Sequence, residues 1–335
     1  MVTPRRDIAI VGAGLMGRWH AAAAHRLGAR IVAIVDPDPT RAARLAQRCR
    51  ALVLRDVSSL LRVASRPAIV HVCGPLASHV STCETLLTAG CHVICEKPLA
   101  ATAGEVERLL GLAESFSRRL LPVHQFAFQR GVTTVSAHLA DLAPLSRISV
   151  DICTAGADGG SATHRDDLLR EALPHPLSVL RRWLPAGLLA DSAWHVHHPR
   201  AGELLASADI SGSTSVIGIN CSARPTEASA VIRGTGGTAR VDFFHGYATV
   251  EGTGVSRGRK ILRPFLTSTR TFATAGTNLL RRAVQWEPAY PGLRELLRSC
   301  YRHCDGTGPP PMTSADILDV YRSRDVIVAA MTAAA

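Results

Sequence analysis

The sequence predicts an α/β fold, with a doubly wound parallel sheet first and an α+β domain with an open, largely antiparallel sheet after it. Three observations predict it. Short apolar runs alternate with helical patterns up to about residue 125, as in βαβ repetition. Short β-type runs with little helix between them recur over residues 191–252. The length of 335 residues suits two domains, which we place at 1–125 and 126–335.

The first domain is predicted to alternate strands and helices. The strands are 7–11, 30–35, 51–54, 68–73, 91–95 and 120–124, and the helices are 15–27, 39–49, 56–64, 78–89 and 103–117. Local signals support several bounds. Asp56 can cap a helix start, Gly90 can close a helix, and Pro37 and Pro39 end the second strand.

The pattern changes in the second domain. Outside the β-type runs, the predicted elements are a helix over 129–141, a strand over 147–153, a Gly/Asp loop at 155–161, a long helix over 163–184 and helices over 292–303 and 314–331. One arrangement packs the helix 314–331 back on the first domain. Residues 253–290 predict no clear element.

Composition excludes several classes of protein. A hydrophobic content of 47% with 19% charged residues is typical of a globular chain. There is no signal-peptide pattern and no apolar run of membrane-spanning length, so we expect no stable membrane insertion. Nine cysteines, an odd number, indicate reduced thiols and a cytoplasmic location.

The net charge of +11 does not indicate a nucleic-acid partner. Of the 38 basic residues only Lys97 and Lys260 are lysines, and the arginines are dispersed along helical patterns. Aromatic residues make up 4% of the chain, which leaves little for base stacking, and no nucleic-acid-binding motif is present.

A glycine motif follows the first apolar run directly. Gly12 permits a tight strand-to-helix turn, Gly14 lets the backbone approach a pyrophosphate, and Gly17 lets helix and strand pack closely. The pyrophosphate would lie at the positive end of the new helix. The sequence therefore predicts a Rossmann dinucleotide-binding domain, with Gly12, Gly14, Leu15, Met16 and Gly17 at the cofactor.

Asp36 ends the second apolar run, nineteen residues after Gly17. A carboxylate at this place can accept both hydroxyls of an adenosine ribose and would repel a 2′-phosphate, which favours NAD. Arg41 or Arg44 could accommodate that phosphate, so NADP stays an alternative, although we expect both arginines to face solvent on the following helix.

Two further motifs carry a family resemblance. One apolar run leads into Gly74-Pro75 with His79 four residues on, and the next ends in Glu96-Lys97-Pro98. With the glycine motif, this set resembles the glucose–fructose oxidoreductase/inositol dehydrogenase family, written Gfo/Idh/MocA. The resemblance covers the first ~125 residues well and the rest more loosely. It implies that Gly74, Pro75, His79, Glu96 and Lys97 lie at the cofactor, and that the second domain carries the substrate and homo-oligomer contacts.

Lys97 is the first catalytic candidate. The resemblance gives it roles in nicotinamide placement and in catalysis. Its position agrees, because it follows a strand at the rim where open α/β sheets bind ligands. A half-buried lysine can have its pKa lowered toward neutrality, whereas arginine cannot release a proton.

His175 is the candidate for proton exchange with a substrate hydroxyl, because a histidine titrates near neutral pH. Glu171 precedes it by four residues, so on one helix the two side chains share a face and the carboxylate can orient the ring. The family usually has an aspartate, three residues and a histidine here. This chain departs from that pattern with glutamate, with Pro174 before the histidine, and with the usual glycine pair displaced to Gly159-Gly160.

No metal site is expected. His195 and His197 would share one face of a strand while His198 faces the other, and no further ligand completes a set. Cys300, His303 and Cys304 have helical spacing but lack a fourth ligand.

The family resemblance implies hydride transfer between nicotinamide and a hydroxyl or ketone carbon of a sugar, cyclitol or nucleotide-linked sugar. Reduction of an imine and an inactive, cofactor-binding regulator are the alternatives. Residues 252–286 contain seven basic and no acidic residues. This basic segment could hold an anionic or nucleotide-linked substrate, form a lid, be a solvated loop, or form an amphipathic helix near Thr271–Trp286 that touches a membrane.

Overall fold

A computed structural model describes residues 6–64, 66–156, 159–254 and 257–333. The chain divides into two compact units. The first unit contains the residues up to His124 together with Leu293–Leu318, and the second contains Gln125–Gly292 together with the residues from Asp319 onward. Residues 293–318, which our sequence analysis assigns to the second domain, thus group with the first unit.

The first unit is built on a parallel sheet of six strands. The strands are β1 (Asp7–Val11), β2 (Arg30–Val35), β3 (Leu52–Leu54), β4 (Ile69–Val72), β5 (His92–Cys95) and β6 (Leu120–Pro122). Their order is β3-β2-β1-β4-β5-β6, and every neighbouring pair is parallel. This order reverses direction between β1 and β4, which places a ligand crevice at the carboxyl ends of these strands.

Helices connect these strands as the sequence predicts. They are α1 (Leu15–Arg26), α2 (Pro39–Cys49), α3 (Val57–Leu61), α4 (His79–Thr88) and α5 (Ala103–Ser115). The predicted cap at Asp56 is confirmed, because its carboxylate accepts from the backbone N–H of Ser59 at 2.7 Å. Asp38 caps α2, and Thr102 with Glu105 forms a capping box on α5.

The second unit is built on an open sheet of seven strands. The strands are β7 (Leu145–Cys153), β8 (His195–Arg200), β9 (Glu203–Ile210), β10 (Ser213–Asn220), β11 (Glu227–Gly234), β12 (Gly237–Asp242) and β13 (Tyr247–Gly252). The order is β13-β12-β11-β7-β10-β9-β8. Only β7 and β10 pair in parallel, so the sheet is mixed but largely antiparallel, which confirms the predicted fold class.

The helices of the second unit correct three predictions. They are α6 (Arg130–Ala137), α7 (Leu139–Leu142), α8 (Ala162–Ala172), α9 (Pro174–Trp183), α10 (Leu188–Asp191) and α11 (Arg257–Val284). The helix predicted over 129–141 is two helices. The helix predicted over 163–184 is also two, because Pro174 has no N–H to continue the ladder. The basic segment, for which a helix near Thr271–Trp286 is only one of several alternatives, contains the long helix α11.

Two further helices end the chain close to their predicted bounds, α12 (Leu293–Cys304) and α13 (Ser314–Ala333). Leu297, Cys300 and Tyr301 of α12 are buried in the first unit. Among the described helices, none combines the length and the apolar composition that crossing a bilayer requires.

Candidate dinucleotide and catalytic site

The glycine loop between β1 and α1 is closed toward the protein and open on one side. Gly12 has a φ of +97°, and a Cβ there would lie 2.6 Å from the carbonyl carbon of Cys73. A Cβ on Gly17 would lie 1.9 Å from the carbonyl oxygen of Gly12. A Cβ on Gly14 would meet nothing within 4 Å. The space beside Gly14 is therefore where a pyrophosphate can approach the backbone.

The start of α1 supplies the donors for such an anion. Gly14 is the N-cap and offers no side chain, and the first turn contains Leu15, Met16 and Gly17 with no acidic residue. The first backbone N–H groups of a helix have no acceptor within the helix, and the helix dipole adds positive potential. A diphosphate is the ligand that this arrangement fits.

Asp36 lies at the carboxyl end of β2 and is 5% exposed. Its carboxylate accepts from the backbone N–H of Ala13 at 2.7 Å and of Asp38 at 2.9 Å, so it is fixed beside the glycine loop. A carboxylate has about four acceptor positions, which leaves capacity for the ribose hydroxyls. The loop, the helix start and Asp36 together fit NAD.

We expect Arg41 to face solvent, but the structure shows that it also contacts two carboxylates. Its guanidinium lies 3.3 Å from Oδ1 of Asp36 and 3.1 Å from Oδ2 of Asp38, although the side chain is 55% exposed. Arg41 therefore lies beside the carboxylate that we expect to bind the ribose. Arg44 is exposed, as predicted.

His79 connects two segments of the predicted cofactor site. Its ring is buried, with Nδ1 2.8 Å from the carbonyl oxygen of Pro98 and Nε2 2.9 Å from that of Gly74. His79 thus links the Gly74-Pro75 turn to the segment that follows Lys97.

Lys97 lies just beyond the carboxyl end of β5 and is half-buried. The preceding Glu96 is buried, and its Oε2 accepts from the backbone N–H of Lys97 at 3.1 Å. Its Oε1 lies 3.0 Å from Nε2 of His20 on α1. Glu96 therefore fixes the backbone at Lys97 from inside the unit.

A buried chain of hydrogen bonds extends behind Glu96. Nδ1 of His20 lies 2.8 Å from Nδ1 of His71, and Nε2 of His71 lies 3.0 Å from the hydroxyl of Tyr301. One assignment of hydrogens satisfies every contact: the Tyr301 hydroxyl donates to His71, His71 donates to His20, and His20 donates to Glu96. His71 is then neutral. Burial first, and the neighbouring His20 second, hold the pKa of His71 well below its usual value.

His124 is a candidate site residue that our sequence analysis missed. It follows β6, is fully buried, and lies close enough to Lys97 for that charge to act on it. Burial first and the Lys97 charge second lower the pKa of His124 to about 3. The signal was available, because the carboxyl ends of β5 and β6 share one edge of a parallel sheet.

The cysteines near this edge offer no nucleophile. Burial raises the pKa of Cys73 well above its usual value, and Glu96 raises it further. Burial does the same to Cys95. Thiols at these positions stay protonated and unreactive. All nine cysteines are free, including Cys300 and Cys304.

His175 lies in the second unit at the start of α9 and is half-buried. Its ring stacks on Phe126 with the ring centroids 4.2 Å apart, and Phe126 stacks in turn on Phe243 at 5.2 Å. Phe126, with Phe243 stacked behind it, thus fixes the plane of the imidazole. Glu171 lies in the last turn of α8, on the other side of the break at Pro174, so the expectation of one shared helix is wrong.

The histidines of β8 are arranged as predicted. His195 and His197 are exposed on one face, and His198 on the other lies 3.1 Å from a carboxylate oxygen of Asp166. In the described parts of the chain, no group of three or more His, Cys, Asp or Glu side chains could hold a metal ion.

The basic segment is helical and not a solvated loop. Of its described arginines, Arg263 pairs with Glu251, Arg270 donates to the carbonyl oxygen of Val250, and Arg282 donates to that of His245. The side chains of Arg257 and Arg259, which we included in the segment, lie outside the described residues.

The glycine loop, Asp36 and the strand order define a dinucleotide-binding domain. Residues 6–124 match the family described as "Oxidoreductase family, NAD-binding Rossmann fold". Over these residues the chain matches the Gfo/Idh/MocA family, as its motifs predict, and the family description confirms NAD as the cofactor.

Three known proteins illustrate the likeness. The chain is 35% identical over 121 residues to inositol 2-dehydrogenase of Rubrobacter xylanophilus, covering 36% of this chain and 35% of that protein. It is 28% identical over 152 residues to UDP-N-acetylglucosamine 3-dehydrogenase of Acidithiobacillus ferrooxidans, covering 43% and 47%. These matches span less than half of either relative. The fold resembles the Bordetella pertussis WlbA dehydrogenase solved with NADH and UDP-GlcNAcA, with a TM-score of 0.77, 15% identity, and coverage of 100% and 98%.

Proposed function

We propose that this chain is an NAD-dependent dehydrogenase that acts on a CH–OH group of a sugar, cyclitol or nucleotide-linked sugar. The observation that carries the proposal is the placement of Lys97. It lies at the ligand-binding edge of a sheet whose glycine loop and Asp36 fit NAD, and Glu96 fixes its backbone. The relatives named above act on inositol and on UDP-N-acetylglucosamine, which gives the substrate class. Neither alternative function has an observation in its favour.

In the proposed reaction the carbinol carbon of the substrate loses a hydride and its hydroxyl loses a proton. Bound NAD⁺ supplies the hydride acceptor. The proton needs a base of this chain, and Lys97 and His175 are the candidates. Stacking on Phe126 fixes the plane of the His175 ring, so a proton acceptor is held in one orientation. We propose that Glu171 supports the basicity of His175.

The test of activity uses the purified chain with NAD⁺ and a panel of inositols, glucosides and UDP-N-acetylhexosamines, followed by NADH absorbance. We expect turnover on at least one of these polyols. NAD⁺ binding without turnover on any substrate would support the regulator instead. Absence of NAD⁺ binding would contradict the assignment of the first unit.

The role of His175 is tested by His175→Asn, which keeps a polar group but cannot carry the proton. We expect turnover to fall by about two orders of magnitude or more, while NAD⁺ affinity is retained. His197→Asn on the exposed face of β8 is the matched control and should be active. Glu171→Gln should cost less, and the double variant should be no worse than His175→Asn alone. A fully additive double variant would show that the two residues do not act together.

A further inference from the structure

The helix α11 has an unusual distribution of side chains. Its large apolar residues are between 53% and 81% exposed, and Trp286 just after it is 74% exposed. We call this set the apolar stripe, and it consists of Ile261, Leu262, Phe265, Leu266, Phe272, Leu279, Leu280 and Val284 with Trp286. At 100° per residue, Ile261, Phe265, Phe272 and Leu279 lie within about 40° of one another. The stripe is thus a continuous face and not a set of scattered residues.

The opposite face of α11 holds the helix to the sheet through polar contacts. Thr267 donates to Glu251 of β13 at 3.0 Å, and Asn278 donates to the carbonyl oxygen of His245 at 2.9 Å. The Arg282 guanidinium donates to the same carbonyl and to that of Glu287. A surface helix of a globular protein normally buries its apolar face and exposes its polar one. In α11 this order is reversed, so the stripe faces outward.

The positive charge of the basic segment indicates which kind of surface the apolar stripe can bind. No acidic residue occurs over residues 252–286. Lys260 and Arg281 are exposed at the two ends of the helix. A helix with large apolar side chains on one side and basic residues beside them is suited to lie in the plane of an anionic bilayer surface. Attraction of the basic residues to anionic headgroups adds to the burial of the apolar side chains.

A second copy of the chain fits the stripe less well. Two stripes packed together would also bring together the basic residues of both helices. Neither helix has an acidic side chain to offset them, so like charges would line the contact. The helix α11 is about 42 Å long, and a bilayer surface with negative headgroups offers the complementary charge along this whole length.

We propose that α11 docks this protein reversibly on an anionic membrane surface, with the apolar stripe inserted among the headgroups. The helix would lie on the membrane and not cross it. This proposal does not rest on the proposed enzymatic activity.

The test is flotation of the full chain with vesicles of phosphatidylcholine alone or mixed with phosphatidylglycerol. We expect binding to the mixed vesicles, little binding to the neutral ones, and release at high salt. Phe265→Ser with Phe272→Ser should weaken binding about tenfold or more, because two large apolar groups no longer leave water. Phe116→Ser, at an exposed phenylalanine outside α11, is the matched control and should bind normally.

A second pair of variants tests the charges. Lys260→Gln with Arg281→Gln should weaken binding to anionic vesicles several-fold, because these basic residues attract the headgroups, whereas Arg48→Gln on exposed α2 surface should not. Circular dichroism checks that each variant is folded. Equal binding to neutral vesicles, or no vesicle binding at all, would overturn the proposal. If the phenylalanine variant only dissociates an oligomer in analytical ultracentrifugation, the stripe belongs to a second copy of the chain.

Discussion

Lys97 and Lys260 are the chain's two lysines, which provides a clean comparison at the scale of single residues. Lys97→Arg keeps the positive charge but removes a proton that can be exchanged. We expect turnover to fall by about two orders of magnitude or more, with much less change in NAD⁺ affinity. The conservative change Lys260→Arg should leave turnover as it is. Comparable turnover in both variants would show that Lys97 only completes the turn after β5.

Asp36 and Arg41 allow a second test at this scale, of the choice between NAD and NADP. Asp36 should repel a 2′-phosphate, so we expect NAD(H) to bind at least about tenfold more tightly than NADP(H). Asp36→Ala should narrow this gap. Because Arg41 already contacts the Asp36 carboxylate, it would meet the phosphate in that variant. Adding Arg41→Ala should therefore remove the gain in NADP(H) affinity that Asp36→Ala produces, and adding Arg44→Ala should not. Tighter binding of NADP(H) by the unmodified chain would contradict the role of Asp36.

The candidate site was predictable at positions where the residue type and its place in the local sequence pattern indicate the role. Gly12 and Gly17 predict a tight turn, and Asp36 at the end of a strand predicts a carboxylate that can bind a ribose. The hydrogen-bond chain behind Glu96 was not predictable. Its members His20, His71 and Tyr301 come from α1, β4 and α12, and no local pattern connects positions so far apart in sequence. His124 could have been found from its place after β6.

At the scale of elements, the glycine loop separates a folding role from a binding role. Gly17→Ala places a methyl group against the Gly12 carbonyl, so we expect a lower thermal midpoint as well as lost NAD⁺ binding. The methyl group of Gly14→Ala would meet no protein atom within 4 Å, so the thermal midpoint of unfolding should stay the same. Its methyl group would occupy the space beside the pyrophosphate, and NAD⁺ affinity should fall about tenfold or more.

Gly111→Ala in α5 is the matched control, because its Cβ also meets nothing within 4 Å. Alanine is the better helix former, so this variant should be as stable or slightly more stable and should bind NAD⁺ normally. Thermal unfolding and isothermal titration with NAD⁺ give the two readouts. Normal NAD⁺ binding by Gly14→Ala would place the pyrophosphate elsewhere.

Elements were predictable where the apolar pattern points inward. The strands of both sheets follow their apolar runs, since those side chains fill the cores. The helix α11 was foreseen only as one alternative near Thr271–Trp286, because its apolar residues point outward and Pro264 and Gly276 interrupt the usual helical composition. The break between α8 and α9 was foreshadowed by Pro174, but its consequence for Glu171 and His175 required the structure.

At the scale of the whole molecule, two buried histidines connect stability to pH. Burial is the larger cause that lowers the pKa of His71 and His124, and that of His124 falls to about 3. Below about pH 6.5 the unfolded chain binds protons that the folded chain does not. The free energy of unfolding is therefore fully retained above pH 6.5 and decreases as the pH falls. Each histidine that stays neutral contributes a slope of about 1.4 kcal/mol per pH unit.

Urea unfolding between about pH 7 and pH 5 measures this slope. His124→Leu removes one of the two groups, so the slope below pH 6.5 should become shallower by the contribution of about one proton. His138→Leu, at an exposed histidine of the second unit, should keep the slope of the unmodified chain. If His124→Leu leaves the slope of unfolding free energy against pH unchanged, the His124 ring of the unmodified chain is already protonated in the folded protein. That result would contradict the effect of burial and of the Lys97 charge on its pKa.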